Sequence, residues 1–214
     1  MNATTIKITD MNEPKHTYSE QDYKQVRDSI KVIGIGGQGA SIVNAMYVRN
    51  STLCRFTVLD EDKNALAGLS VPQKIQVEET MDAVDTIFDK LISDVEEVIL
   101  VSVIGGAVSS TYSSALCKYA VKHGKKVRAY LASSPDKSER ETAAMCFMEI
   151  ESHAGFVQTI DSGMLIHSFR YRPKDTVIME CIKDILSETV SYAVEDMVRI
   201  LIKFKRISDL LDKL

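Results

Sequence analysis

Two glycine-rich stretches carry the residues most suited to handling a charged ligand. The first, Gly34-Ile35-Gly36-Gly37-Gln38-Gly39, has the spacing G-x-G-x-x-G between an apolar run and a helical stretch. Gly36 and Gly37 let backbone amides approach a phosphate closely, because no Cβ intervenes. The helix that follows would add its unpaired N-terminal amides and the positive end of its dipole. Asp60 stands about twenty residues further on, where a dinucleotide-binding fold places the acid that contacts ribose. The second stretch, Ile104 to Thr111, opens with Gly105-Gly106 and supplies the hydroxyls of Ser109, Ser110 and Thr111. Those hydroxyls either cap a helix or donate to a phosphate. For both stretches the plainer alternative is a tight turn that lets a helix pack on a strand.

Elements of alternating type must position these residues. Short β-branched runs at Lys31–Ile35, Arg55–Leu59, Glu97–Val103, Lys126–Ala132 and Phe156–Asp161 predict strands. Between them, Ala40–Arg49, Met81–Ser93, Ser113–His123 and Arg140–His153 have helical periodicity, and Gly124 sits where a helix C-cap is expected. A long helical stretch runs from about Thr176 to Lys203. Strand–helix alternation implies a parallel sheet covered on both faces, with ligands at the carboxyl ends of the strands. The stretches 34–39, 60–62, 104–111, 133–139 and 161–163 all fall at such ends, which points to one crevice. Residues 1–29 are polar and predict an extension, with a helix over Tyr18–Ser29; residues 30–214 form one α/β domain.

Composition narrows the classes. The chain is 45% hydrophobic and 26% charged, as in ordinary globular proteins. Its net charge of -4 argues against a chain built to coat nucleic acid. No apolar run approaches the roughly 20 residues of a membrane span, and the N-terminus lacks a signal-peptide core. A cytoplasmic location is expected. Cys54, Cys117, Cys146 and Cys181 are far apart, and His16, His123, His153 and His167 lack ligand spacing, so neither zinc nor a redox pair is expected.

Ile30 to Gly39, continued by Val43-Asn44-Ala45-Met46, resembles the opening of FtsZ, the bacterial relative of tubulin. The resemblance continues in register through Asp60–Leu66, Lys74-Ile75-Gln76, Val98–Gly124, Pro135 with Glu139, and Met179–Val198, and so spans roughly residues 30–200. It implies a three-layer Rossmann-like parallel sheet of the tubulin/FtsZ nucleotide-binding domain, ending in the long central helix. It further implies GTP or GDP as ligand, Mg2+ only alongside bound GTP, and head-to-tail assembly of subunits.

Residue by residue, the resemblance assigns nucleotide contact to Gly36, Gly37, Gln38, Ser41, Asp60, Gly105, Gly106, Ala107, Ser109, Ser110, Glu139, Asp161 and Lys183. Several of these depart from the family pattern. Gln38 replaces a glycine and Ser41 an asparagine. Ala107, Val108, Ser109 and Thr111 interrupt the signature loop, Asp161 stands for an asparagine near the nucleoside, and Lys183 for a guanine-contacting asparagine. The loop that approaches the terminal phosphate is shortened between Gln76 and Met81. After the long helix, Lys203 to Leu214 has no counterpart of the family's acidic catalytic loop, so no catalytic residue is assigned and efficient hydrolysis is not expected.

Three readings follow: an FtsZ-like GTP-binding component of a cytoskeletal or cell-division assembly, a pseudo-GTPase interaction module without nucleotide, or an NAD-type Rossmann protein. Val190, Val194, Met197, Val198, Leu201 and Ile202 share helical spacing and predict a homo-oligomer or protein partner through the last helix.

Overall fold

The computed structural model describes residues 19–78 and 84–211. Residues 1–18 of the polar extension, and the first turn expected at Met81, lie outside them. Strands β1 (Ile30–Ile35) and β4 (Glu97–Ile104) are buried along their whole length. A strand apolar on both faces must be covered on both, which selects a parallel interior position. The sheet has the order β3-β2-β1-β4-β5-β6 and every pairing is parallel, with β2 at Arg55–Asp60, β3 at Gln73–Gln76, β5 at Lys126–Ser133 and β6 at Phe156–Ile160. Ile35, the last residue of β1, lies opposite Leu59 on one side and Ser102 on the other. Strand order reverses between β1 and β4, and this is where such sheets open a crevice.

Alternation along β4 sorts the two cores. Ile99, Val101 and Val103 point to one face, packed with residues of α2 (Gly36–Arg49) and α8 (Asp175–Leu211). Val98, Leu100 and Ile104 point to the other, packed with α4 (Val84–Ile92), α5 (Ala107–Lys122) and α6 (Arg140–Glu151). Helix α1 (Glu20–Asp28) joins the first face through Val26 and begins with a Ser19–Asp22 capping box. The C-terminus of α5 closes as expected: Gly124 has φ +72°, its amide donates to Val121, and that of Lys125 donates to Ala120. The fold class implied by the sequence is therefore the fold observed.

Two differences bear on function. Helix α2 starts at Gly36 rather than Ala40, and α5 at Ala107 rather than Ser113. Both glycine-rich stretches are strand ends running directly into first helical turns. In addition, α3 (Lys63–Ala67) and α7 (Ser162–Ser168) are too short for periodicity to reveal; Asp62 and Asp161 cap them.

At the opposite end of the sheet, Lys31 is fully buried. Its Nζ donates to the carbonyl oxygen of Leu91 at 2.5 Å, a terminal carbonyl of α4, and lies 3.4 Å from Asp94. Burial pushes the Lys31 ammonium below its ordinary value, and the neighbouring Arg55 adds to this while Asp94 opposes it. The unfolded chain thus binds more protons than the native one between the lowered value and the ordinary one. Stability contributed through this group rises as pH climbs across that interval. Urea unfolding of wild type and Lys31→Met from pH 7 to pH 11 should show this rise in the wild-type-minus-variant difference; a flat difference refutes it.

Candidate functional site

At the reversal point the chain leaves β1 and β4 straight into α2 and α5. The N-cap residues of these helices, Ile35 and Gly106, make no side-chain cap bond. By contrast α1, α3 and α7 are capped by Ser19, Asp62 and Asp161. The first-turn amides of a helix have no partner within it, so two sets of donors and two positive dipole ends meet at one place. They border a cleft of about 410 Å³, lined among others by Gly36, Gly37, Gln38, Gly106, Ala107 and Ser109.

The glycines have distinct duties. A Cβ on Gly34 would stand 2.5 Å from the Gly39 carbonyl oxygen, and one on Gly39 2.7 Å from that of Val101. These two let α2 lie on the sheet. Gly36 has φ +74°, and a Cβ there would stand 2.8 Å from that of Ser109. Only Gly37 of the motif keeps room toward the cleft, its nearest neighbour being the Asp60 carboxylate at 3.3 Å from the Cβ position. Three of the four glycines are therefore required by packing and chain direction.

In the second turn Gly105 has φ +137°, and a Cβ would meet both the Cβ and Oε2 of Glu139 at 2.9 Å. The Gly105 amide donates to Ser110 Oγ at 2.9 Å, and Ser109 Oγ donates to the Gly106 carbonyl at 3.1 Å. Both hydroxyls are thus engaged within the turn. Ala107 and Val108 lie in the helix, so the unusual backbone angles fall on glycine and the interrupted signature costs no strain there.

Of the other residues the sequence singles out, Asp60 and Glu139 line the cleft. Asp60 is buried and its Oδ1 accepts from the Glu61 amide at 2.8 Å. Ser41 is half-buried in the second turn of α2, outside the lining. Asp161 accepts from the Gly163 amide at 2.7 Å and lines a neighbouring cavity instead. Lys183 pairs with Glu180 at 3.0 Å and does not reach the cleft lining.

The structure adds Glu61, Ser134, Asp136, Asp175 and Met179 to the lining. Asp136 caps the 3-10 turn Lys137–Glu139, and the amide and hydroxyl of Ser138 hold its carboxyl below the usual range. Among the described residues five carboxylates (Asp60, Glu61, Asp136, Glu139 and Asp175) therefore line this cleft, and no Lys, Arg or His does. The backbone favours an anion here; the side chains oppose it. Among the described residues no group of three or more His, Cys, Asp or Glu is arranged to hold a metal. The three buried thiols are not chemical candidates either: burial raises Cys117 to about 11 and pushes Cys54 and Cys146 upward.

No family model and no curated protein matches the sequence. Solved structures do. FtsZ from M. jannaschii superposes with a TM-score of 0.71 at 16% identity, over 83% of this chain and 59% of that one. CetZ from Methanosaeta thermophila gives 0.65 at 15%, over 78% and 54%. The TubZ of Bacillus thuringiensis serovar israelensis, solved as GDP-form protofilaments, gives 0.56 at 14%, over 76% and 56%. The chain thus has the fold of the FtsZ/tubulin nucleotide-binding domain and spans 54–59% of the length of the first two proteins.

The Gly36–Ser109 contact makes a sharp stability prediction. Gly36→Ala should cost about 2–4 kcal/mol, combining a left-handed backbone penalty with the clash. Ser109→Gly by itself loses the hydroxyl bond to Gly106 and adds a helical glycine, so it is the reference: on that background Gly36→Ala should cost only roughly 1–2 kcal/mol. Denaturant midpoints of the two single variants and the double variant measure this; an equal cost of Gly36→Ala on both backgrounds would show that the Ser109 Cβ is not the obstacle.

Proposed function

We propose that this chain is an FtsZ-like nucleotide-binding protein that takes GTP or GDP at the β1/β4 reversal and acts as an assembling or regulatory component rather than an efficient hydrolase. The observation that carries this reading is the convergence of two helix N-termini without side-chain caps, at the point where a parallel sheet of this order opens. The FtsZ/tubulin fold favours a guanine nucleotide, and the GDP form of the TubZ structure agrees with it. Since the carboxylates oppose a bare polyphosphate, the Mg2+ complex is the form that fits; the ligand's phosphates, not a protein cluster, would supply most of the metal's oxygens.

A second reading draws support from Glu139. Its carboxylate lies against the α-carbons of Gly105 and Gly106, at the turn that opens α5. That arrangement favours an interaction module that has given up nucleotide. Calorimetric titration with GTP, GDP, ATP and NAD, each with and without Mg2+, separates the readings. Binding of GTP and GDP, stronger with Mg2+, is expected. Glu139→Gln should tighten Mg2+-free binding by about tenfold, the effect of removing one like charge at short range. No heat and no thermal shift with any of the four leaves the interaction module, and heat with NAD alone restores the Rossmann reading.

Assembly is proposed to use α8. No helix among the described residues is long and apolar enough to cross a membrane. Val190, Val194, Met197, Val198 and Ile202 are buried against the sheet and Leu201 is half-buried, so the residues expected at a partner face turn inward. The outward side carries Tyr192, Ile200, Phe204, Ile207 and Leu211, each more than half exposed. A stripe of this size rarely stays bare. Light scattering should show an oligomer that Phe204→Asp returns to monomer while the circular dichroism spectrum is unchanged. A monomeric wild type would rule out self-assembly through α8.

A further inference from the structure

A second cavity of about 520 Å³ lies beside the nucleotide cleft, at the carboxyl ends of β5 and β6 and between α6 and α7. Its walls are largely apolar: Leu131, Ala143, Phe147, Ile160 and Met164 contribute to them. The polar groups of its floor satisfy one another. Ser162 Oγ donates to the Ser134 carbonyl at 3.0 Å, the Ser162 amide donates to Ser133 Oγ at 3.0 Å, and the two hydroxyl oxygens lie 3.1 Å apart. Among the described residues lining it, a ligand body meets no buried side-chain donor or acceptor needing a partner, which suits hydrocarbon.

The mouth has the opposite character. Arg140, the first residue of α6, and His167, near the end of α7, border the cavity. An adjoining hollow of about 510 Å³ shares both and adds Lys137 and Arg172. Among the described residues none of these four forms a salt bridge, in a chain whose net charge is -4. The acid on the cavity lining, Asp161, already accepts the Gly163 amide as the cap of α7. An apolar pocket with an unpaired guanidinium and an imidazole at its rim, and two more cations in the adjoining hollow, defines a class of ligand.

We propose that this cavity binds a small amphipathic anion: an aliphatic or aromatic body in the pocket, with a carboxylate or phosphate head at Arg140 and His167. The site is independent of the nucleotide reading, because none of the carboxylates lining that cleft lines this cavity.

Octanoate tests it, with octanol as the uncharged match and anionic phospholipid vesicles as the membrane-bound source of the same chemistry. Calorimetry should show octanoate binding one site and octanol binding much more weakly. Arg140→Glu should weaken octanoate by about tenfold, as for loss of a charge-assisted hydrogen bond. Ala144→Trp, which fills the pocket from α6, should abolish binding while the circular dichroism spectrum and thermal midpoint stay near wild type. Saturating Mg2+–GTP should leave the octanoate isotherm unchanged whether or not GTP itself binds. Equal affinity for octanol and octanoate, indifference to Ala144→Trp, competition by GTP, or binding to the vesicles with none to octanoate would each overturn the proposal. If Ala144→Trp fails to fold, Ala144→Leu repeats the test with partial filling.

Discussion

Where β1 ends, Gly36 turns the chain at φ +74° and sets its α-carbon against the Ser109 side chain, so that α2 and α5 begin side by side. Much follows from this contact. With β1 and β4 buried on both faces, their side chains are committed to the two cores, and only the strand ends remain free for chemistry. Gly36 leaves α2 no connecting residue after β1, and Gly105-Gly106 do nearly the same for α5 after β4. Two helix N-termini are thereby held at one opening without a long loop that would have to be ordered at an entropic cost. Placing Cβ atoms on Gly34 or Gly39 would lift α2 off the sheet and dissolve the arrangement.

The same opening holds opposed electrostatic influences. Each helix N-terminus is worth about half a positive charge, felt within the first turn. Five carboxylates stand around the cleft, but they do not count equally. Glu61, Asp136 and Asp175 are exposed, so water and salt screen them. Asp60 is buried and spends one oxygen on the Glu61 amide. Glu139 is half-buried and lies against the turn at the start of α5, so it and the buried Asp60 beside Gly37 weigh more against a bound anion than the three exposed carboxylates.

Five of the six strands, the parallel class and both glycine turns were legible because β-branched runs and glycine spacing leave few alternatives; β3, only Gln73–Gln76 with a single β-branched residue, was not. Where the helices begin was not. Gly36-Gly37-Gln38-Gly39 has the composition of a loop, and its helical conformation is imposed by packing on Val101 rather than by propensity. The acidic character of the cleft was hidden for another reason. Glu61, Asp136 and Asp175 come from three segments, each ordinary by itself, and the sheet topology brings them together. Lys183 shows the converse: it follows Met179 by one turn of α8, yet Met179 lines the cleft and Lys183 turns to Glu180. Correspondence along a helix does not carry side-chain direction when neighbouring charges offer a nearer partner.

Charge is divided by a single short turn. Glu139 and Arg140 are adjacent in sequence, and one borders the acidic cleft while the other borders the apolar cavity. Glu139 is also the N-cap residue of α6, where a negative charge is favoured by the helix dipole, yet its side chain makes no cap bond to that helix. The carboxylate reaches instead to Gly105 at the approach to α5. It thus stands between the start of α6 and the Gly105-Gly106 turn that opens α5. A phosphate brought to the first turn of α5 would meet this like charge at short range, so the affinity of the cleft for an anion depends on whether the Glu139 side chain swings away or is neutralised.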